Sequence, residues 1–252
     1  MIKVIICGIL GKMGSQLMDA CFEDPNIEIL AGVDTEEGRL ANIPIYKSLA
    51  ACPAADVVID FSNPALTGAI VDYCRDTHCA LVICTTGHTE AQAALIRRLA
   101  DDAAVFQSVN MSLGVALLKT LVRKAALALH NDFDIEILER HHNRKLDAPS
   151  GTAMMLANEI NTALGGQYDY VYDRHQVRRK RDKREIGLHS IRGGTIVGDH
   201  EVIFAGNDEV LTLSHSAASR AVFAVGALNA ARFIVKQPPG YYNMDSLMAG
   251  IC

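Results

Sequence analysis

Short apolar runs alternate with helical periodicities through the first half of the chain, and the period then changes. Residues 2–7, Ile-Lys-Val-Ile-Ile-Cys, form a β-branched run with no polar alternation. That is the pattern of a strand buried on both faces of a parallel sheet. Glycines follow at 8, 11 and 14, and the apolar spacing over 15–22 predicts a helix, so the glycines lie at a strand-to-helix junction. The theme repeats, with strands expected over 28–33, 56–61, 80–84 and 103–107 and helices over 66–75 and 90–100. Such repetition predicts a Rossmann-type doubly wound parallel sheet in an α/β domain.

Beyond residue 112 the pattern is different. Residues 112–129 carry a stripe of Leu117, Leu121, Ala125 and Leu129, a helical face that packs rather than binds. Residues 133–138 alternate, a helix is expected to about 164, and 185–191, 196–205 and 210–215 read as strands in a meander. This predicts a second, α+β domain with an open mixed, largely antiparallel sheet. An amphipathic helix over 217–234 returns to the first domain. The expected division is 1–111 with 222–252 for dinucleotide binding, and 112–221 for substrate binding and oligomerisation.

Composition narrows the function classes. The chain has 252 residues, half of them apolar, enough for one large or two ordinary cores. A net charge of −5 argues against general affinity for nucleic acid, and no apolar run approaches the ~20 residues of a membrane helix. The apolar start of the chain is broken by Gly8, Gly11 and Gly14, unlike a signal peptide. Cys7, Cys21, Cys52, Cys74, Cys79, Cys84 and Cys252 are odd in number and contain no Cys-x-x-Cys pair. Free thiols in a reducing cytoplasm, with no metal site, are the expectation.

The junction Gly8, Ile9, Leu10, Gly11, Lys12, Met13 and Gly14 is spaced Gly-x-x-Gly-x-x-Gly, a weak motif alone. Context strengthens it, because the next strand ends in Asp34, about 20 residues on, where an acidic side chain accepts from adenosine ribose hydroxyls. Asp34, Glu36 and Glu37 would repel a 2′-phosphate, while Lys12 and Arg39 could pair with one. Both NADH and NADPH are therefore candidates, with a lean to NADH. Ligands of such sheets lie beyond the carboxyl ends of the strands, which places Phe61-Ser62, Thr85-Thr86-Gly87 and Asn110 along one crevice.

Residues 139–153, Glu-Arg-His-His-Asn-Arg-Lys-Leu-Asp-Ala-Pro-Ser-Gly-Thr-Ala, hold the densest chemistry. His141 and His142 can exchange a proton near neutrality, and Lys145 adds a fixed positive donor. Asp147 or Ser150 can cap the following helix, Pro149 suits a first turn, and the amides of Gly151 and Thr152 would point at an anion. The segment reads either as a proton source beside an anion clamp or as an ordinary solvated turn. A basic run over 174–184 is a solvated loop or, if it has a role, a flap that attracts an anionic substrate.

Taken together, the glycine loop, Thr85-Thr86-Gly87, Asn110-Met111-Ser112, residues 139–153, Ser190-Ile191-Arg192-Gly193-Gly194, Val197-Gly198-Asp199-His200 and His215 through Ser219-Arg220 resemble the 4-hydroxy-tetrahydrodipicolinate (dihydrodipicolinate) reductases over essentially the whole chain. The resemblance implies NAD(P)H-dependent reduction of a cyclic dicarboxylate in lysine and diaminopimelate biosynthesis. It implies His141 as proton donor and Lys145 as a second donor that also holds a carboxylate. His142, Ser150, Gly151 and Thr152 would bind the substrate. Gly8 to Met13 would lie under the pyrophosphate and Asp34 on the ribose, with Thr85, Thr86, Gly87, Ser108, Val109, Asn110 and Met111 at the nicotinamide end. A homotetramer built through the second domain's sheet is implied as well. Cys84 and Ser108-Val109 depart from the family's usual Gly and Ala or Pro.

Two other readings compete. A semialdehyde dehydrogenase needs a cysteine nucleophile, which residues 139–153 lack. A non-catalytic dinucleotide sensor needs a partner module, and would leave the paired histidines without a task.

Overall fold

The first apolar run forms β1 (Ile2–Cys7), whose Val4, Ile5, Ile6 and Cys7 are inaccessible to solvent. The structure, a computed structural model, describes residues 1–175 and 178–250. Expectations that fall on Gln176, Val177, Ile251 and Cys252, part of the basic run and one of the thiols, lie outside the described residues.

The chain divides into two compact units, Met1–Leu113 with the chain from Arg220 onward, and Gly114–Ser219. In the first, β1 leads to α1 (Lys12–Phe22), β2 (Ile27–Val33), β3 (Gly38–Leu40), β4 (Ile43–Tyr46), β5 (Val57–Asp60), α2 (Thr67–Thr77), β6 (Ala80–Ile83), α3 (Glu90–Leu99) and β7 (Ala104–Gln107). The second unit contains α4 (Leu113–Leu129), apart from its first residue, then β8 (Asp134–His141), α5 (Gly151–Ala163), β9 (Asp169–Val171), β10 (Glu185–Arg192), β11 (Gly198–Ala205) and β12 (Val210–Ala217). The chain then rejoins the first unit through α6 (Ala221–Ile234), β13 (Gly240–Tyr242) and α7 (Met244–Ala249).

The first sheet runs β13-β7-β6-β5-β1-β2-β4-β3, parallel except for the β3–β4 pair. Parallel pairing aligns the carboxyl ends of all its main strands on one edge. Strand order reverses between β1 and β5, and such a switch point opens a ligand crevice. On the sheet lies a core that includes Ile5, Val33, Val58, Leu81 and Val105 with Ile70 of α2 and Ile96 of α3. Helix α3 begins with a capping box, Thr89 Oγ1 accepting from the Gln92 amide at 3.3 Å while Gln92 Oε1 accepts from the Thr89 amide at 2.9 Å.

The second sheet runs β12-β11-β8-β10-β9. Its last three long strands do not form the expected meander. Strand β10 pairs parallel to β8, with β9 parallel to β10, while β11 and β12 are antiparallel neighbours on the other side of β8. The reason is the intervening helix: a parallel neighbour needs a long crossover, and α5 supplies it. The inward faces of these strands, including Ile135, Ile137, Ile186, Leu188, Val202 and Phe204, pack against α4 and α5. Among the described residues no helix is long and apolar enough to cross a membrane.

Candidate active site

At the carboxyl edge of the first sheet Gly8 and Gly14 admit only glycine. Gly8 has φ +78°, and a Cβ there would meet the Phe61 carbonyl oxygen at 2.6 Å. A Cβ on Gly14 would lie 2.2 Å from the Gly8 oxygen and 2.6 Å from Ile9 Cα. Helix α1 starts at Lys12, earlier than the expected 15, and its N-cap Gly11 makes no side-chain hydrogen bond. The tight loop therefore runs straight into a helix start, and this backbone cradle fits a dinucleotide pyrophosphate. Alanine at Gly14 must push the loop off the helix, so we expect G14A to weaken NADH binding by ~10-fold or more, measured by fluorescence titration. An unchanged Kd would contradict the cradle.

Asp34 stands just after β2, where its Oδ2 accepts from the Leu10 amide at 2.8 Å and its Oδ1 from the Thr35 amide at 2.8 Å. The acidic residue thus ties the end of β2 to the glycine loop. On the other side of the switch point, Asp60 is 2% exposed and binds both the Ser62 amide, at 3.0 Å, and the Ser62 hydroxyl. The Thr85 hydroxyl donates to the Asp60 carbonyl at 3.4 Å. Thr86 is exposed and Gly87 has φ +85°. Ser108 Oγ donates to the Asn110 carbonyl at 2.8 Å, and Asn110 Oδ1 accepts from the Ser112 amide at 2.9 Å, leaving Val109 exposed at the tip. Helix α6 braces this turn, since a Cβ on Gly226 would stand 1.7 Å from the Met111 oxygen. Cys84 is not poised as a nucleophile: burial first, and then the Asp60 charge, push its thiol well up.

The second unit's site follows from sheet register. The inward-facing positions of β8, β10 and β11 are apolar at one end and become polar at the other: Ile135, Ile137, then Glu139 and His141; Ile186, Leu188, then Ser190 and Arg192; Phe204, Val202, then His200. Arg192 is paired with His141, while Ser190 and His200 are paired with Glu139. Three strands thus change character at the same level, which builds a polar cluster on top of a dry core.

Within it, Glu139 Oε2 lies 2.6 Å from His141 Nδ1, and Arg192 grips both carboxylate oxygens, at 2.8 and 2.7 Å. The Ser150 amide donates to Oε1 at 3.1 Å. Glu139 is 1% exposed. Its burial alone would raise the carboxyl, but the hydrogen bonds from Arg192, Ser190 and His141 outweigh that and hold it down at about 2. His200 meets the His141 ring edge-on, with centroids 5.2 Å apart. Burial above all, then the neighbouring His141, presses the His200 imidazole down to about 4. Its Nδ1 is buried without a partner among the described residues, while Nε2 lies 2.8 Å from Ser150 Oγ.

That depression has a consequence for stability. Unfolded, His200 takes up a proton below about pH 6.5; folded, it resists until about 4. Its contribution is complete above pH 6.5 and declines as pH falls toward 4. His215, also lowered mainly by burial, acts in the same direction. We expect the unfolding free energy to drop by about 2 to 3 kcal/mol between pH 6.5 and 4.5, and H200Q to flatten most of that drop in urea titrations. An equally steep dependence in H200Q would exclude His200 as the source.

Ser150 is the N-cap of α5, its hydroxyl accepting from the Ala153 amide at 3.1 Å. Pro149 precedes the cap, joined to Ala148 by a cis peptide, and so lies outside the first turn where the sequence placed it. Asp147 does not cap; its carbonyl accepts from Arg192 at 2.7 Å and its carboxylate pairs with Lys145 Nζ at 2.9 Å. Gly151 and Thr152 occupy the first two helical positions. The His142 amide donates to the Ile196 carbonyl at 2.7 Å, closing the segment against the loop before β11. Ser150 thus has its hydroxyl engaged within the protein.

The basic run is bound to the sheet. Arg174 pairs with Glu185 at 2.5 Å and Glu136 at 2.8 Å, Arg179 with Glu185 at 2.6 Å, and Arg181 with Asp134 and Glu136, each at 3.0 Å. These three guanidiniums are consumed by internal acids rather than presented to an anion. Sequence reasoning also left Glu139, Arg192 and His200 without roles. Period-2 spacing could have paired Glu139 with His141 on one face of a strand; nothing local could have found Arg192, 53 residues from Glu139 in sequence.

Comparison with known proteins agrees with both halves of this geometry. Residues 2–111 match the family described as "Dihydrodipicolinate reductase, N-terminus", and 114–248 its C-terminus. The 4-hydroxy-tetrahydrodipicolinate reductase of Caldanaerobacter subterraneus is 46% identical over 249 residues, 98% of each chain. That of Clostridium tetani is 42% identical, over 98% of this chain and 97% of its own. Among solved structures, a dipicolinate-bound dihydrodipicolinate reductase from Paenisporosarcina superposes with a TM-score of 0.80 at 24% identity, covering 96% of this chain and 97% of that one, and so shares the fold. With a glycine cradle in one unit, a buried acid–imidazole cluster in the other, and relatives this similar along the whole length, the chain belongs to the 4-hydroxy-tetrahydrodipicolinate reductase family.

Proposed function

We propose that His141 is the general acid and Lys145 the carboxylate-holding cation of this chain's reaction, the NAD(P)H-dependent reduction of 4-hydroxy-tetrahydrodipicolinate, via dihydrodipicolinate, to tetrahydrodipicolinate in lysine and diaminopimelate biosynthesis. When bound, the reduced nicotinamide supplies the hydride. The chain supplies a proton and an anion site. His141 carries its proton on an imidazole fixed by Glu139, and the protonated ring delivers it to the electron-rich atom of the reduced substrate. Lys145 already holds one carboxylate, that of Asp147, at 2.9 Å, and can exchange it for a substrate carboxylate. Asp147 is tied down mainly by Lys145, which keeps its carboxyl below the usual range. His142 and the amides of Gly151 and Thr152 take the second carboxylate at the start of α5. The observation that carries this reading is the buried Glu139–His141 pair, 2.6 Å apart, at the polar end of three strands whose register assembles it.

Gly8 to Gly14 hold the pyrophosphate and Asp34 the ribose, with Thr85 to Gly87 and Ser108 to Met111 at the nicotinamide end. Asp34, Glu36 and Glu37 favour NADH. The test of function is to mix the protein with each reduced cofactor and the freshly made condensation product of pyruvate and aspartate semialdehyde, and to follow loss of nicotinamide absorbance. Turnover is expected with both cofactors and a higher kcat/KM with NADH; equal or better use of NADPH refutes the lean, and no turnover with either refutes the reaction. We further propose a cytoplasmic homotetramer joined through the second sheet. Ile191 and Val210, 46% and 63% exposed, are apolar positions on that sheet which such assembly would cover. Light scattering that returns a monomer would overturn it.

A further inference from the structure

We propose that Glu139 is the positioning residue of the acid: its carboxylate takes the Nδ1–H of His141, so the transferable proton is carried on Nε2, beside Gly198. This rests on the reading of His141 as proton donor. Three observations carry it. The first is geometric: Glu139 and His141, two residues apart on β8, share one face, and Oε2 lies 2.6 Å from Nδ1. A neutral imidazole has one N–H, and a carboxylate accepts but cannot donate while ionised, so Nδ1 must carry the hydrogen. The second is that Glu139 is itself immobilised. Arg192 binds it through two hydrogen bonds and the Ser150 amide through a third, so its charge is fixed in place and kept ionised. The third is the space at the other nitrogen. A Cβ on Gly198 would stand 3.0 Å from Nε2, so glycine at this position leaves the approach to Nε2 open.

The charged and titratable groups around His141 are Glu139 on its own strand, Arg192 on β10, His200 on β11 with His215 next to it on β12, and Lys145 and Asp147 in the loop that follows β8. Among the described residues, Glu139 is the anion in contact with an imidazole nitrogen of His141. In the proton-transfer step the Nε2–H bond breaks, a bond forms between that proton and the reduced substrate, and the electron pair of the N–H bond stays on Nε2. The ring leaves the step neutral with Nδ1–H still on Glu139, and water restores the Nε2 proton. The arrangement has the logic of the orienting carboxylate in a catalytic triad, where the wrong tautomer cripples an intact site.

The test compares E139Q, E139D and H141Q with the unaltered protein. In E139Q we expect kcat at neutral pH to fall by ~10²-fold. The neutral His141 ring, read by ¹⁵N-histidine NMR, should no longer be held as the single Nδ1–H tautomer in E139Q, because the carboxylate that accepts that hydrogen is gone. KM for the reduced cofactor should stay within about 3-fold. E139D, which keeps the carboxylate, should restore the Nδ1–H form and part of the lost kcat. Wild-type kcat with an unchanged His141 tautomer in E139Q overturns the proposal. Full turnover in H141Q instead sinks the acid assignment itself, so the two failures are distinct. Should E139Q not fold, ¹⁵N-histidine NMR of the unaltered protein decides: His141, assigned from the missing signal in H141Q, must be the Nδ1–H tautomer once neutral, and an Nε2–H tautomer refutes the proposal.

Discussion

Replacing His141 by glutamine lowers kcat by ~10²-fold or more, with the KM of the reduced cofactor little changed. Glutamine retains polarity and approximate size but has no proton to give at neutral pH. The loss is expected in the chemical step because His141 is 8% exposed and sits in a cluster the fold has already organised, so its removal changes chemistry more than packing. Lys145→Met should act differently. It removes the ammonium that pairs with Asp147 and that would hold a substrate carboxylate, so the KM for substrate rises along with a loss in kcat of ~10²-fold if Lys145 also donates in the transition state. Steady-state kinetics with varied substrate and cofactor separate these effects. Nearly unchanged turnover in both single variants would refute the assignment of either residue to the chemistry.

Arg192→Leu should be the most destabilising single substitution at the site, costing about 3 to 5 kcal/mol at neutral pH in urea titrations. The size comes from what is left behind rather than from the ion pair itself. Glu139 is 1% exposed and both its oxygens are bound by Arg192; without the guanidinium a buried carboxylate keeps only the Ser150 amide, Ser190 and the His141 ring as direct partners. The same guanidinium also holds the Asp147 carbonyl, so the loop carrying Lys145 loses an anchor. Two controls follow. Adding E139Q to R192L should recover part of the loss, because the uncompensated charge is removed. The pH dependence has a definite sign as well: the folded carboxyl, held at about 2, lies below its unfolded value near 4.3, so its contribution is present above that value and fades as pH falls toward 2. The difference between R192L and the unaltered protein should therefore shrink in acid. A loss below about 1 kcal/mol would mean that water reaches Glu139.

Much of the first unit was legible because its signals are local. Residues 2–7 have the run of a doubly buried strand, the glycines at 8, 11 and 14 mark a strand-to-helix junction, and Asp34 follows the next strand at the expected interval. Short elements escaped. Strands β3, β9 and β13 have three residues each, too few for any period to register, and their existence depends on an available sheet edge. In the second unit the strands could be recognised but not their neighbours. That β10 lies beside β8 is decided by the α5 crossover, and this pairing alone puts Arg192 against His141.

By itself, then, the sequence determined which residues could exchange a proton, bind an anion or admit a pyrophosphate, since those capacities belong to side-chain chemistry and backbone freedom at single positions. Only the tertiary structure decided which of them act together. Whether the arginines of the basic run stay available, and what holds Glu139 in place against His141, depend on partners 11 to 53 residues away along the chain. The physical reason is that pairing register and burial set the distance and dielectric between groups, and a Glu139–His141–Arg192–His200 cluster exists only where three strands bring their polar ends to one level above a dry core.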